Sequence, residues 1–114
     1  MYELPVDFDL DQLKGVVLEA VSFGTYKITL HFSEGWTIGV EDDLSLDSNE
    51  RAFLPEILPA LYPLVNRKIL GTSRIDQGTI GLEFERGTVL HIYGATKEFE
   101  CYQIERNGET LVVV

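Results

Sequence analysis

Between Tyr26 and Phe32 the residues alternate, with Tyr26, Ile28, Leu30 and Phe32 on one side and Lys27, Thr29 and His31 on the other. A period of two marks a strand with one buried and one solvated face. Gly15 to Phe23 is apolar and β-branched and reads as the strand before it, with Gly24-Thr25 as the turn. After Phe32, Ser33-Glu34-Gly35 closes a hairpin in which Gly35 supplies positive φ. Trp36, Ile38 and Val40 then return on the buried side. The same pattern recurs. Ile28–Val40 aligns with Ile80–Ile92 without a gap at an offset of 52, pairing Leu30 with Leu82, Phe32 with Phe84, Gly35 with Gly87 and Val40 with Ile92. At that offset Val17 also meets Ile69, and Phe23 meets Ile75. Two copies indicate a duplication, since stacked arrays need at least three units.

Between the copies the period changes. Phe53, Ile57, Leu61 and Val65 recur every fourth residue with Leu54 and Leu58 beside them, a helical stripe. Asp47 and Glu50 suit a capping box at its start. Pro55, Pro59 and Pro63 oppose one continuous helix, so a short helix or a broken pair of turns is expected over the sheet. A PxxP ligand role is disfavoured because the intervening residues are apolar. In copy two, Asp76-Gln77-Gly78 and Glu85-Arg86-Gly87 are turns and Gly94–Lys97 is a loop. Phe99–Arg106 is a further strand with apolar residues on both parities. Asn107-Gly108 is a strong hairpin signal, and Leu111–Val114 reads as buried on both faces. The expected fold is mainly β (α+β). Two related antiparallel three-strand meanders (about 15–41 and 68–93) are joined by a Pro-interrupted helical segment (about 48–65) and followed by a C-terminal hairpin (about 98–114).

Composition adds little to this until charge is considered. The 114 residues, 45% hydrophobic and 25% charged, fit a single domain across 1–114 with a core of its own. The first residues lack a signal-peptide pattern, no run nears the ~20 apolar residues of a membrane span, and one cysteine permits no internal disulfide. A cytoplasmic location is expected. The net charge of −10 exceeds the roughly 2–8 that keeps a small domain soluble. It disfavours direct nucleic-acid binding and suits a basic protein partner.

Candidate chemistry is sparse. Asp7, Asp9 and Asp11 alternate like the start of a calcium loop, but the glycine and terminal glutamate are missing, so an edge segment with an acidic face is expected. Glu41-Asp42-Asp43, with Asp47 and Glu50 nearby, is the densest acidic run, either a solvated loop or a partner-facing patch. Its spacing matches no metal loop, and no metal or cofactor is expected. Cys101 with His31 or His91 is a conceivable nucleophile pair, yet no motif supports it and no enzymatic activity is expected. Trp36 is either core or a binding anchor. Tyr62, Tyr93 and Tyr102 are candidate exposed aromatics.

The repeated L-x-F-x-x-G-x-x-[IL]-x-[VI] pattern resembles a group of small uncharacterised bacterial β-rich domains. It is accompanied by the Pro-containing segment Leu54–Val65 and the aromatic–acidic stretch Phe99–Ile104. The chain departs from that group at Asn66-Arg67, where the group has Leu-Gly, and at Tyr102, near which it has Trp. By size, charge and fold it is also similar to immunity proteins that block bacterial toxins. The likeness implies a non-enzymatic protein-binding module, acting as an immunity-type inhibitor of a basic partner. Glu41, Asp42, Asp43 and Asp47 would supply charge, and Trp36, Tyr93 and Tyr102 anchors. The chain itself would be a monomer or homodimer. A structural or homodimerising domain and a nucleic-acid-mimicking inhibitor are the alternatives.

Overall fold

Nine strands form two antiparallel sheets in the computed structural model, which describes residues 3–47, 50–53, 55–95 and 100–114. In chain order they are β1 (Leu18–Phe23), β2 (Ile28–Phe32), β3 (Trp36–Val40), β4 (Leu44–Leu46), β5 (Ile69–Arg74), β6 (Ile80–Phe84), β7 (Val89–Ile92), β8 (Tyr102–Arg106) and β9 (Glu109–Val113). The fold is mainly β with little helix, as the alternating segments predict. Each meander forms one sheet and takes its next strand from the other copy's tail. The order is β1-β2-β3-β8-β9 in one sheet and β4-β7-β6-β5 in the other. The inward positions of both sheets, Ile28, Leu30, Phe32, Ile38, Ile80, Leu82, Phe84, Leu90 and Ile92 among them, share one apolar core.

The copies correspond more deeply than an ungapped alignment allows. Phe23 pairs with Ile28 in copy one, whereas Arg74 pairs with Ile80 in copy two. The second turn is therefore one residue longer, and upstream of it the offset is 51. Leu18 matches Ile69 and Phe23 matches Arg74, which corrects the pairing of Val17 with Ile69 and Phe23 with Ile75. At this offset the likeness reaches back to Leu10, outside the expected meander. The 3-10 helix Leu10–Leu13 matches Leu61–Leu64, with Leu10, Leu13, Leu61 and Leu64 all buried. Gly15 and Asn66, both at positive φ, follow at matched positions.

Matched positions also meet. Val17 and Lys68, counterparts of one another, form an isolated antiparallel bridge. Around it each bond has its twin. The Gly15 N–H donates to the Ile69 carbonyl at 2.8 Å and the Asn66 N–H to that of Leu18 at 2.7 Å. Likewise the Ile69 N–H donates to Val16 at 2.9 Å and the Leu18 N–H to Arg67 at 3.0 Å. Even the side-chain bonds repeat, Ser33 Oγ accepting from the Val17 N–H at 2.9 Å and Glu85 Oε1 from that of Lys68 at 2.7 Å. An approximate two-fold axis therefore runs through the Val17–Lys68 bridge.

Elsewhere the structure departs from the sequence reading. The helical segment shrinks to α1 (Leu58–Leu61) and a 3-10 turn (Tyr62–Leu64), because Pro59 and Pro63 are admissible only in the first turn of each. Ser48, Asn49 and Leu54 lie outside the described residues. Among the described residues Asp47 caps no helix. It ends β4 at φ 51°, and its carboxylate accepts the Val89 N–H at 2.9 Å. Leu44-Ser45-Leu46, between the acidic residues and not expected as a strand, is one paired with β7. The Asp7–Asp11 segment is not extended. Asp9 instead caps the 3-10 helix by accepting from the Asp11 N–H. Asp76 builds its predicted turn by accepting the Gly78 and Thr79 N–H groups, which hold its carboxyl below the usual range. In β8, Tyr102 and Ile104 face inward; the expected start of that strand and of the C-terminal hairpin, 98–99, lies outside the described residues, as does the 96–97 end of the Gly94 loop. Asn107 and Gly108 take the successive positive φ values that a tight hairpin requires. β9 is not buried on both faces: it is an edge strand with Leu111 and Val113 outward and Val112 inward.

Candidate partner-binding surface

The acidic run is tied down. Asp42 is buried because the chain turns inward from β3 to β4 there, and Arg51 reaches its Oδ2 at 3.7 Å and that of Asp43 at 3.4 Å. The same guanidinium lies 4.0 Å from the centre of the Tyr93 ring, while the Tyr93 hydroxyl and Ser45 Oγ are 2.9 Å apart. Tyr93 is half-buried under this cluster. Glu41 is half-buried, with its N–H on the Cys101 carbonyl. The run expected to meet a basic partner thus meets the protein's own arginine.

Two expected anchors are interior. Trp36 is 1% exposed, shares the inner face with Ile38 and Val40, and carries the Arg106 guanidinium 4.9 Å from its ring centre. Tyr102 is fully buried. Its hydroxyl donates to the Gly78 carbonyl at 2.6 Å, and burial pushes the phenol well above its ordinary pKa. Neither presents a surface, because an inward strand position encloses whatever it carries. Of the residues expected at a partner surface Asp47 is exposed, as is Tyr62 among the candidate aromatics; Glu41, Asp43 and Tyr93 are half-buried.

The histidines stand on outer faces. His31 Nε2 is 2.7 Å from the Ser22 hydroxyl, exposed to solvent, whereas Cys101 is buried. Among the described residues no group of three or more His, Cys, Asp or Glu side chains is gathered so as to hold a metal ion. None of their helices is long and apolar enough to cross a membrane.

A concavity lies elsewhere, between the edge strand β1 and the α1 segment. It has a volume of about 530 Å³ and is lined by Val21, Phe23, Leu58, Pro59, Tyr62 and Val65 among others. Phe23 is 60% exposed and Tyr62 80%, so two large side chains stand open to water beside a hollow. Exposed rings at a concave apolar surface are the features of a contact site. Reading the sequence alone missed this because Phe23 scans as one more apolar residue of a strand. Only the offset set by the strand pairings aligns Phe23 with Arg74 and marks it as different.

No curated protein and no solved structure matches the chain. A family model does, over residues 9–114, nearly the whole of the duplicated fold. The chain belongs to the family of unknown function DUF6188.

Proposed function

We propose that the chain is a non-enzymatic protein-binding module, an immunity-type inhibitor of a basic partner protein. The observation that carries this reading is the open apolar groove between β1 and α1 in a protein of net charge −10. Apolar side chains at a concave surface supply contact energy, and a negative field favours encounter with a positive partner. The locked state of Asp42 and Asp43 moves the contact away from the acidic run expected to make it. Charge then acts through the surface as a whole.

The test is capture. Immobilised protein is expected to retain a protein of net positive charge from a lysate of its own source cells, and to retain less of it at high salt. Co-production with the retained protein is expected to restore growth that the partner alone arrests. If nothing is retained, or retention is indifferent to salt, the basic-partner reading fails. Retention without growth rescue removes the inhibitor and leaves a binding module.

A further inference from the structure

The duplication built this groove twice, and only one copy stayed apolar. Its counterpart lies between β5 and the 3-10 helix Leu10–Leu13, a hollow of about 370 Å³ lined by Asp7, Phe8, Asp11, Thr72 and Arg74 among others. At the offset of 51, Thr72 stands where copy one has Val21, Arg74 where it has Phe23, and Asp11 where it has Tyr62. These polar residues tie the two walls of the second groove to each other. Arg74 Nη2 donates to the carbonyls of Pro5, at 2.9 Å, and Phe8, and the Thr72 hydroxyl donates to Asp11 Oδ1 at 2.7 Å. In copy one the matched positions carry no group able to make such ties, Tyr62 keeping only a solvent-facing hydroxyl. In one groove polar bonds cross between the walls. The other offers only apolar walls at the same place in the fold.

From this internal comparison we infer that the β1–α1 groove receives a polypeptide segment of a partner protein, one with large apolar side chains flanked by Lys or Arg. The inference rests on the protein-binding reading above and names its site and recognition chemistry. The exposed rings of Phe23 and Tyr62 suit large apolar side chains of a partner. Charge selects the flanks. Glu19, beside Ala20, and Glu56, two residues before Leu58, are both exposed, while Arg67 near Val65 is directed to Thr88 Oγ1 at 3.3 Å. A second copy of this chain brings its own charge of −10 to the same rims and is disfavoured.

The duplication also designs the test, which is to give the apolar groove the residues of the polar one. Val21→Thr, Phe23→Arg and Tyr62→Asp together install side chains that the matched backbone already carries. The probe is a short fluorescein-labelled peptide with Leu, Phe and Ile between paired lysines, read by fluorescence polarisation. Binding to the wild type is expected, with a loss of about tenfold or more in the triple variant at an unchanged melting temperature. A control peptide with glutamates for lysines should bind more weakly. Should the triple variant fail to fold, Phe23→Ser with Tyr62→Ser repeats the test at two mostly exposed positions. Undiminished binding in the variants, no binding to the wild type, or equal binding of the glutamate peptide overturns the assignment. So does a wild-type dimer in sedimentation that these substitutions dissociate, which would make a second copy the occupant. Capture of the same basic protein by wild type and variant alike would leave the protein-binding reading intact and sink the groove alone.

Discussion

Among the described residues six non-glycine residues stand at positive φ, Glu34 and Arg86 included, each of these two followed by a glycine also at positive φ, Gly35 and Gly87. The two turns are conformational twins with different surroundings. A Cβ at Gly87 would meet nothing within 4 Å, whereas one at Gly35 would collide with the Asn107 side chain of the β8–β9 turn. Gly87→Ala therefore isolates the backbone penalty, expected at about 1–2 kcal/mol in urea unfolding. Gly35→Ala is expected to cost about 1 kcal/mol more, because overpacking adds to that penalty. Adding Asn107→Gly, at a position already at φ 52°, should return the cost to the Gly87 level. Equal costs for the two alanines would mean that the Asn107 contact carries no weight. The sequence marked both glycines as turn residues from their place after a strand. It could not tell them apart, because what distinguishes them is a turn some seventy residues away.

Elements were legible wherever one face is buried. β2, β3, β6 and β7 follow their alternation, since a slip of one residue would turn every apolar side chain to water. The failures have local causes. β4 is three residues long and immersed in acidic sequence, so its two leucines gave no period to read. Asp42 was read as a surface charge because a run of carboxylates normally stays in solvent, and the arginine that lets it enter stands nine positions later. That arginine joins the β3–β4 connection, at Asp42 and Asp43, to Tyr93 just past β7. Removing it with Arg51→Ala should cost about 1–2 kcal/mol, below the figure for a wholly buried pair because Arg51 is 40% exposed. Arg51→Lys should recover only part of the loss, since an ammonium cannot lie flat on Tyr93 while reaching two carboxylates. Urea titrations of the three proteins check this, and full recovery in the lysine variant would reduce the ring contact to a bystander.

At the scale of the molecule the sequence pointed to two meanders but not to their exchange of strands. Pairing between β3 and β8, or β4 and β7, leaves no trace in local period, because either strand alternates equally well against any neighbour. The exchange has a mechanical result. Neither copy owns the strand that covers its third one, so a chain cut in the connection leaves each half with an uncovered apolar sheet. Fragments 1–54 and 55–114 are expected to be disordered alone by circular dichroism and to recover the native spectrum when mixed. A half that folds unaided would show that the exchanged strands are dispensable. The groove was hidden for a related reason: it joins a strand and a helix about forty residues apart, and only the two-fold relation exposes what sets it apart.

The bridge between Val17 and Lys68 has a meaning beyond stability. A residue that touches its own counterpart across a two-fold axis is what a symmetric homodimer presents at its centre, so the chain has the geometry of such a dimer spliced into one polypeptide. In a true homodimer every substitution appears twice, and a groove that turns polar on one side must turn polar on the other. Splicing ends that coupling: one half carries Arg74 and its polar ties, and the other carries Phe23 and is left apolar.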